Sequence, residues 1–169
     1  MKSKKNIVLI GMMGSGKSSI GKLISKKLDL EFIDIDKKIE ESENCTISEI
    51  FKKKGENHFR EIEKNISIKY LKLENKIISL GGGGYINETI RKQCTKNCST
   101  IWLNWKNETL MKRINNSKKR PLAMKLNYFQ MKKLIVKRAK IYNLSDYKIN
   151  CDKLDKNQIT KKIIKIYES

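Results

Sequence analysis

The chain predicts an α/β fold, a three-layer sandwich around a five-stranded parallel sheet. Three observations carry that expectation. Short apolar runs alternate with helical patterns along all 169 residues. Most of those runs are continuously apolar, as parallel strands buried on both faces must be. The first run ends in Gly11–Ser18, GMMGSGKS, which has the glycine, four residues, glycine, lysine, serine spacing of a phosphate-binding loop between a strand and a helix.

The candidate strands are Asn6–Ile10, Phe32–Asp34, Lys76–Leu80, Thr100–Leu103 and Tyr147–Asn150. Helical patterns fill the gaps, so right-handed βαβ crossovers are expected. Ser18–Leu28 follows the loop. Thr46 and Glu49 form a capping box that starts the next helix, and Gly55 ends it before Glu56–Leu73. Asn87 caps a short helix before Cys94. Asn107–Asn115, Lys125–Asn143 and Asp155–Tyr167 complete the set. No repeat or linker divides the chain, so 1–169 reads as one domain, with helices over about 36–73 available to a substrate. Residues 116–126 are polar, basic and irregular, and hold the only proline, Pro121. A segment of that kind beside a phosphate loop is expected to act as a lid.

Composition narrows the function. A net charge of +20 admits nucleic-acid binding, but the lysines are spread along the chain rather than clustered. A nucleic-acid role is therefore not expected. No apolar run reaches membrane-spanning length, and no leader separates the N-terminus from the phosphate loop, so a soluble cytoplasmic protein without a membrane partner is expected. The 4 cysteines lack metal-site spacing and read as free thiols. His58 stands alone and reads as a surface residue. Only 5 of the 38 basic residues are arginine, at 60, 91, 113, 120 and 138. In a lysine-rich chain, arginine marks places that need a rigid two-pronged donor. Arg60, Arg113, Arg120 and Arg138 are read as functional and Arg91 as surface.

The phosphate loop supplies the first chemistry. Gly11, Gly14 and Gly16 allow turns that side chains forbid, so loop amides and the helix N-terminus can cradle phosphate oxygens. Lys17 would reach the β- and γ-phosphates and Ser18 would ligate Mg²⁺, within a nucleotide-binding set Gly14, Ser15, Gly16, Lys17, Ser18 and Ser19. Asp34-Ile-Asp36 lies at the carboxyl end of the second strand, where ligands bind in open parallel sheets. Strand alternation would put both carboxylates on one side, for Mg²⁺ and a substrate hydroxyl. Gly81–Gly84 follows the third strand and lets a ligand approach the backbone. Ser79 stands where many phosphate-loop proteins carry an acidic residue, which leaves more of the metal work to Asp34.

Taken together, the loop GMMGSGKS, the strand end FIDID, the segment GENHFREIE from Gly55 to Glu63, SLGGG from Ser79, RPL from Arg120 and RAKIY from Arg138 resemble the shikimate kinase family, small P-loop NTPase-fold enzymes. The resemblance runs from Ile7 to Tyr167. It implies transfer of the γ-phosphate of ATP to the 3-hydroxyl of shikimate by a Mg²⁺-dependent enzyme, expected to be a monomer. Asp36 would bind the hydroxyl and act as base or orienting group, with Lys17 and Arg120 catalytic beside it. Arg60 and Arg138 would hold the shikimate carboxylate, Glu63 would hold Arg60, and Gly82 and Gly83 would line the pocket. Arg113 would lie against the adenine. Ser18 and Asp34 would serve the metal. The chain departs from the family pattern at Gly84 and in lacking a proline over 151–156. Another small-molecule kinase, for gluconate or a nucleoside monophosphate, is the alternative, which the glycine run and the two arginines disfavour. A basic nucleic-acid-binding protein is a more distant one.

Overall fold

The computed structural model describes residues 5–116 and 125–169. Five strands form one sheet: β1 (Asn6–Ile10), β2 (Glu31–Asp34), β3 (Lys76–Ser79), β4 (Cys98–Asn104) and β5 (Tyr147–Asn150). Their order is β2-β3-β1-β4-β5, and every pairing is parallel. The helices are α1 (Lys17–Leu28), α2 (Ile35–Glu43), α3 (Ile47–Leu71), α4 (Glu88–Asn97), α5 (Asn107–Asn115), α6 (Tyr128–Tyr142) and α7 (Lys156–Glu168).

The sheet divides the core because successive side chains leave a strand on opposite faces. Ile7 and Leu9 of β1 point into one apolar cluster, with Ile20 and Ile24 of α1 and Ile159 and Ile163 of α7. Val8 and Ile10 point into the other, with Ile39 of α2, Ile50 of α3, Ile90 of α4, Leu110 of α5 and Ile135 of α6. All five residues of β1 are buried. Each fully buried isoleucine or leucine contributes about 1.5–3 kcal/mol of apolar transfer, and truncating one to alanine costs about 2–5 kcal/mol. The edge strands β2 and β5 each bury one residue fully, Ile33 and Ile149.

Local chemistry ends the helices where the site needs them to end. The Thr46–Glu49 capping box starts α3. Gly55, at φ 81 and ψ 171, leaves helical geometry, so α3 consists of two helical segments that meet at a kink, with the break at the glycine where the sequence placed it. A second box, Asn127 with Gln130, starts α6 three residues later than the lysine-rich pattern suggested. Asp155 with Gln158 starts α7. Strand β2 stops at Asp34, and α2 begins at Ile35. Strand alternation therefore does not relate Asp34 to Asp36; Asp36 lies in the first turn of α2. Arg91 is not a free surface residue either. Its Nη1 donates to the carbonyls of Tyr85 at 3.0 Å and Ile86 at 2.7 Å and so clamps the short turn after the glycine run.

Candidate active site

The phosphate loop joins β1 to α1. Gly11, Gly14 and Gly16 have φ of 145°, 79° and 86°, values that side-chain-bearing residues rarely adopt. Gly16 occupies the N-cap of α1, and Lys17 and Ser18 form its first turn. Lys17 is buried, and its ammonium donates to the carbonyls of Gly11 at 2.8 Å and Met12 at 3.1 Å and to Ser15 Oγ at 3.3 Å. The cation thus lies within the curl of the loop. Ser19, next in the helix, is exposed.

Beyond the loop, Ser18 Oγ donates to Asp34 Oδ2 at 2.6 Å. This hydroxyl and this carboxylate, 16 residues apart in sequence, are brought together by the β1–α1 and β2–α2 junctions. Asp34 takes the N-cap position of α2 without a capping hydrogen bond from its side chain, which leaves the carboxylate turned to Ser18. An alkoxyl-type oxygen and a carboxylate are hard donors of the kind Mg²⁺ takes when phosphate oxygens and water complete its shell. Among the described residues no cluster of three acidic, histidine or cysteine side chains offers an all-protein metal cage.

The second half of the site is a cleft of about 600 Å³ between the glycine run, α2, α3 and α6. Asp36, Arg60, Glu63, Gly82, Gly83 and Arg138 line it, with Met13, Phe51 and Phe59 as its apolar wall. Arg60 donates from Nη1 to Glu63 at 2.7 Å and from Nη2 to Glu56 at 3.1 Å. Burial works against the Arg60 charge, but Glu63 and Glu56 outweigh it and hold the guanidinium above its usual range. For Glu63, with a side chain only 3% exposed, burial wins over its arginine and raises the carboxyl. Arg138 is 7% exposed, and burial lowers its pKa, with Arg60 adding repulsion, against the opposing pull of Tyr142 and Glu63. Among the described residues it makes no ion pair. Its Nη1 lies 3.7 Å from Met12 Sδ.

The glycines set how closely the arginines approach. A Cβ on Gly83 would sit 2.3 Å from Arg60 Nη1, and one on Gly82 would sit 3.4 Å from Arg138 Nη1. A Cβ on Gly81 would meet both Asp36 Oδ1 and Glu63 Oε1 at 2.7 Å. Bare backbone is therefore the floor on which both guanidinium groups and Asp36 converge. Tyr142, whose hydroxyl donates to the carbonyl of Gly82, holds that floor from below, and burial pushes its phenol up to about 12.

On the nucleotide side, Arg113 in the last turn of α5 donates to the carbonyl of Gly14 at 3.2 Å and lies over the Trp105 ring. Arg120 and residues 117–124 of the expected lid lie outside the described residues. Sequence reasoning missed Trp105, Phe51, Phe59 and the clamping role of Tyr142. The two phenylalanines lie on either side of Gly55 and meet across the kink, with ring centroids 4.7 Å apart, and Tyr142 stood in the quoted RAKIY segment.

A glycine-curled loop capping a helix, a carboxylate set against its serine, and a cationic cleft opening beside it at the strand ends define a nucleotide-dependent phosphotransferase of the phosphate-loop class. A family model described as shikimate kinase matches residues 13–168. A shikimate kinase of Persephonella marina is 41% identical over 161 residues, spanning 95% of this chain and 97% of its own. The crystal structure of shikimate kinase from Aquifex aeolicus superposes with a TM-score of 0.85 at 35% identity and covers 94% of each chain. That of shikimate kinase from Acinetobacter baumannii, in complex with shikimate, superposes with a TM-score of 0.89 at 27% identity, over 98% of this chain and 93% of its own. The chain belongs to the shikimate kinase family.

Proposed function

We propose that the protein transfers the γ-phosphate of ATP to the 3-hydroxyl of shikimate, yielding shikimate 3-phosphate and ADP. The observation that carries this reading is Arg138. A buried guanidinium without an ion pair among the described residues, beside a second guanidinium and facing a cleft, calls for an anionic ligand. Two planar forks suit a carboxylate better than a neutral polyol. Arg60, oriented by Glu63 and Glu56, and Arg138 would take the shikimate carboxylate. Asp36, at the other end of the glycine floor, would take the 3-hydroxyl and orient or accept its proton.

The phosphate loop would hold ATP through its amides, the N-terminus of α1 and Lys17, whose ammonium exchanges loop carbonyls for phosphate oxygens. Ser18 and Asp34 would hold Mg²⁺, which when bound neutralises phosphate charge. Phosphoryl transfer asks the protein mainly for positioning and charge stabilisation, and these residues supply both. Arg113 would lie against the adenine. Arg120 would add charge to the transferring phosphoryl group from the lid. No helix of the described residues is long and apolar enough to cross a membrane. The reading takes the protein as a cytoplasmic monomer that does not act on nucleic acid.

A coupled ADP-release assay with shikimate, gluconate, AMP and shikimate methyl ester side by side tests the reading. Shikimate should drive ATP use well above the others, and the ester, which lacks the charge, should be a poor substrate. Equal turnover of acid and ester would remove the basis for choosing shikimate over a neutral polyol.

A further inference from the structure

Trp105 lies just past β4 and before α5, outside every motif of the phosphate loop and the cleft. It is half-buried and packs against both apolar clusters, one from each face of the sheet. Two contacts leave it on the nucleotide side. Its indole N–H donates to the carbonyl of Ser15 at 2.9 Å, across 90 residues of sequence. Its ring carries the Arg113 guanidinium, with Cζ 3.8 Å from the ring centroid. Arg113 in turn donates to the carbonyl of Gly14 at 3.2 Å. The start of α5 is fixed independently, because Asp152 accepts from the Lys106 amide at 2.8 Å and from Thr109 Oγ1 at 2.7 Å. The indole is thus held by core and helix together, while its N–H is spent on Ser15 of the phosphate loop and its ring on Arg113, which in turn reaches Gly14.

We infer that Trp105 is a positioning residue for the nucleotide: it carries Arg113 as a flat shelf for the purine base and pins the Gly14–Ser15 stretch of the phosphate loop. The inference rests on the reading of this loop as the ATP site. A guanidinium held over an indole loses rotational freedom, and Arg113 is exposed to solvent, so a base can stack on the side away from the ring. The hydrogen bond to Ser15 ties down a loop carbonyl, whose oxygen would repel the anion if it faced the phosphate cradle. Both effects act through other groups, so Trp105 need not touch the nucleotide. On the proposed reading shikimate would bind elsewhere, in the cleft lined by Arg60 and Arg138.

The test compares the unmodified protein with Trp105→Leu and Trp105→Phe. The phenylalanine keeps a ring under Arg113 and loses the N–H. ADP affinity is measured by calorimetry, KM for ATP and for shikimate by ADP release, and thermal stability on the same samples. Trp105→Leu should raise both the ADP Kd and the KM for ATP about tenfold, the size of one stacked cation contact together with one hydrogen bond. KM for shikimate should stay within about twofold. Trp105→Phe should recover most of the nucleotide affinity. The inference is overturned if Trp105→Leu leaves ADP binding unchanged. It is equally overturned if nucleotide and shikimate affinity fall together in both variants in step with stability, because that pattern belongs to a packing residue. ADP calorimetry needs no acceptor substrate. A protein whose ADP binding depends on Trp105 but that does not phosphorylate shikimate would therefore sink the proposed function and support the inference. Shikimate turnover with a Trp105→Leu protein of unchanged ADP affinity would do the reverse.

Discussion

Gly83→Ala is the sharpest single test of how the acceptor site is built. The Gly83 backbone has φ −97 and ψ −14, which alanine adopts without strain, so the substitution acts through space alone. Its Cβ would stand 2.3 Å from Arg60 Nη1, 2.8 Å from Cζ and 3.0 Å from Nη2. Ordinary contact begins near 3.4 Å, so the guanidinium must retreat by about 1 Å. Glu63 and Glu56 hold it at 2.7 Å and 3.1 Å, so any retreat strains those ion pairs. A charged hydrogen bond to the substrate is then lost or badly aligned, about 1.5–3 kcal/mol. That corresponds to a fall of about 10- to 150-fold in kcat/KM for shikimate. KM for ATP should barely move, and thermal stability should change little, because the displaced group is the far end of a side chain. The neighbouring glycines supply the controls. Gly84→Ala meets Glu63 and Leu80 at 3.5 Å, ordinary contact, and should be nearly silent. Gly82→Ala meets the Met13 amide at 3.3 Å and Arg138 at 3.4 Å and should fall between the two. Steady-state kinetics of the three variants would refute the reasoning if Gly83→Ala and Gly84→Ala gave the same KM for shikimate.

The remaining expectations concern the chemistry. Asp36→Asn should cut turnover about 10²–10⁴-fold, the range for a lost general base, while ATP binding persists. Because Asp36 is in the first turn of α2 and not at its cap, the change should cost well under the roughly 1 kcal/mol of a lost cap; a larger drop in melting free energy with intact turnover would assign it a structural role. Asp34→Asn should raise the Mg²⁺ concentration giving half-maximal rate, and an unchanged Mg²⁺ titration would show that the carboxylate paired with Ser18 does not serve the metal. Lys17→Ala should lower the rate by at least about two orders of magnitude, since a charged contact to the transferring phosphate is gone. Near-normal turnover would place catalysis elsewhere.

What the amino-acid sequence discloses follows from how local each interaction is. The order of strands and helices was legible because β1, β3 and β4 are built around the apolar stretches Ile7–Ile10, Ile77–Ile78 and Ile101–Leu103, and because Thr46, Asn87 and Asp155 carry cap chemistry within three residues of the groups they satisfy. The start of α6 was misplaced although Asn127 and Gln130 were in view, since Lys125 and Leu126 suit a helix equally well by propensity. Asp36 was assigned to the cleft by strand alternation, and it reaches the cleft by another route, a helix that begins one residue after the strand. The glycines and arginines of the site stood out because each does what no other residue type can do: bare backbone against a guanidinium, and a planar fork buried without an ion pair among the described residues. Arg91 shows the limit of that inference, since the same planar fork serves equally well to clamp two carbonyls of a turn. Trp105 was beyond reach altogether. Its partners are a loop carbonyl 90 positions earlier and a guanidinium on the next helix, and nothing in the local pattern LNWKN announces either. The phosphate loop and the acceptor side of the site are thus written in residue types, and the support beneath Arg113 in distances that only the folded sheet creates. That difference is also why Gly83→Ala and Trp105→Leu should separate cleanly. One displaces a guanidinium on the shikimate side, and the other removes the support of a guanidinium that reaches Gly14 of the phosphate loop. Their effects should add without coupling, because they share no side-chain partner.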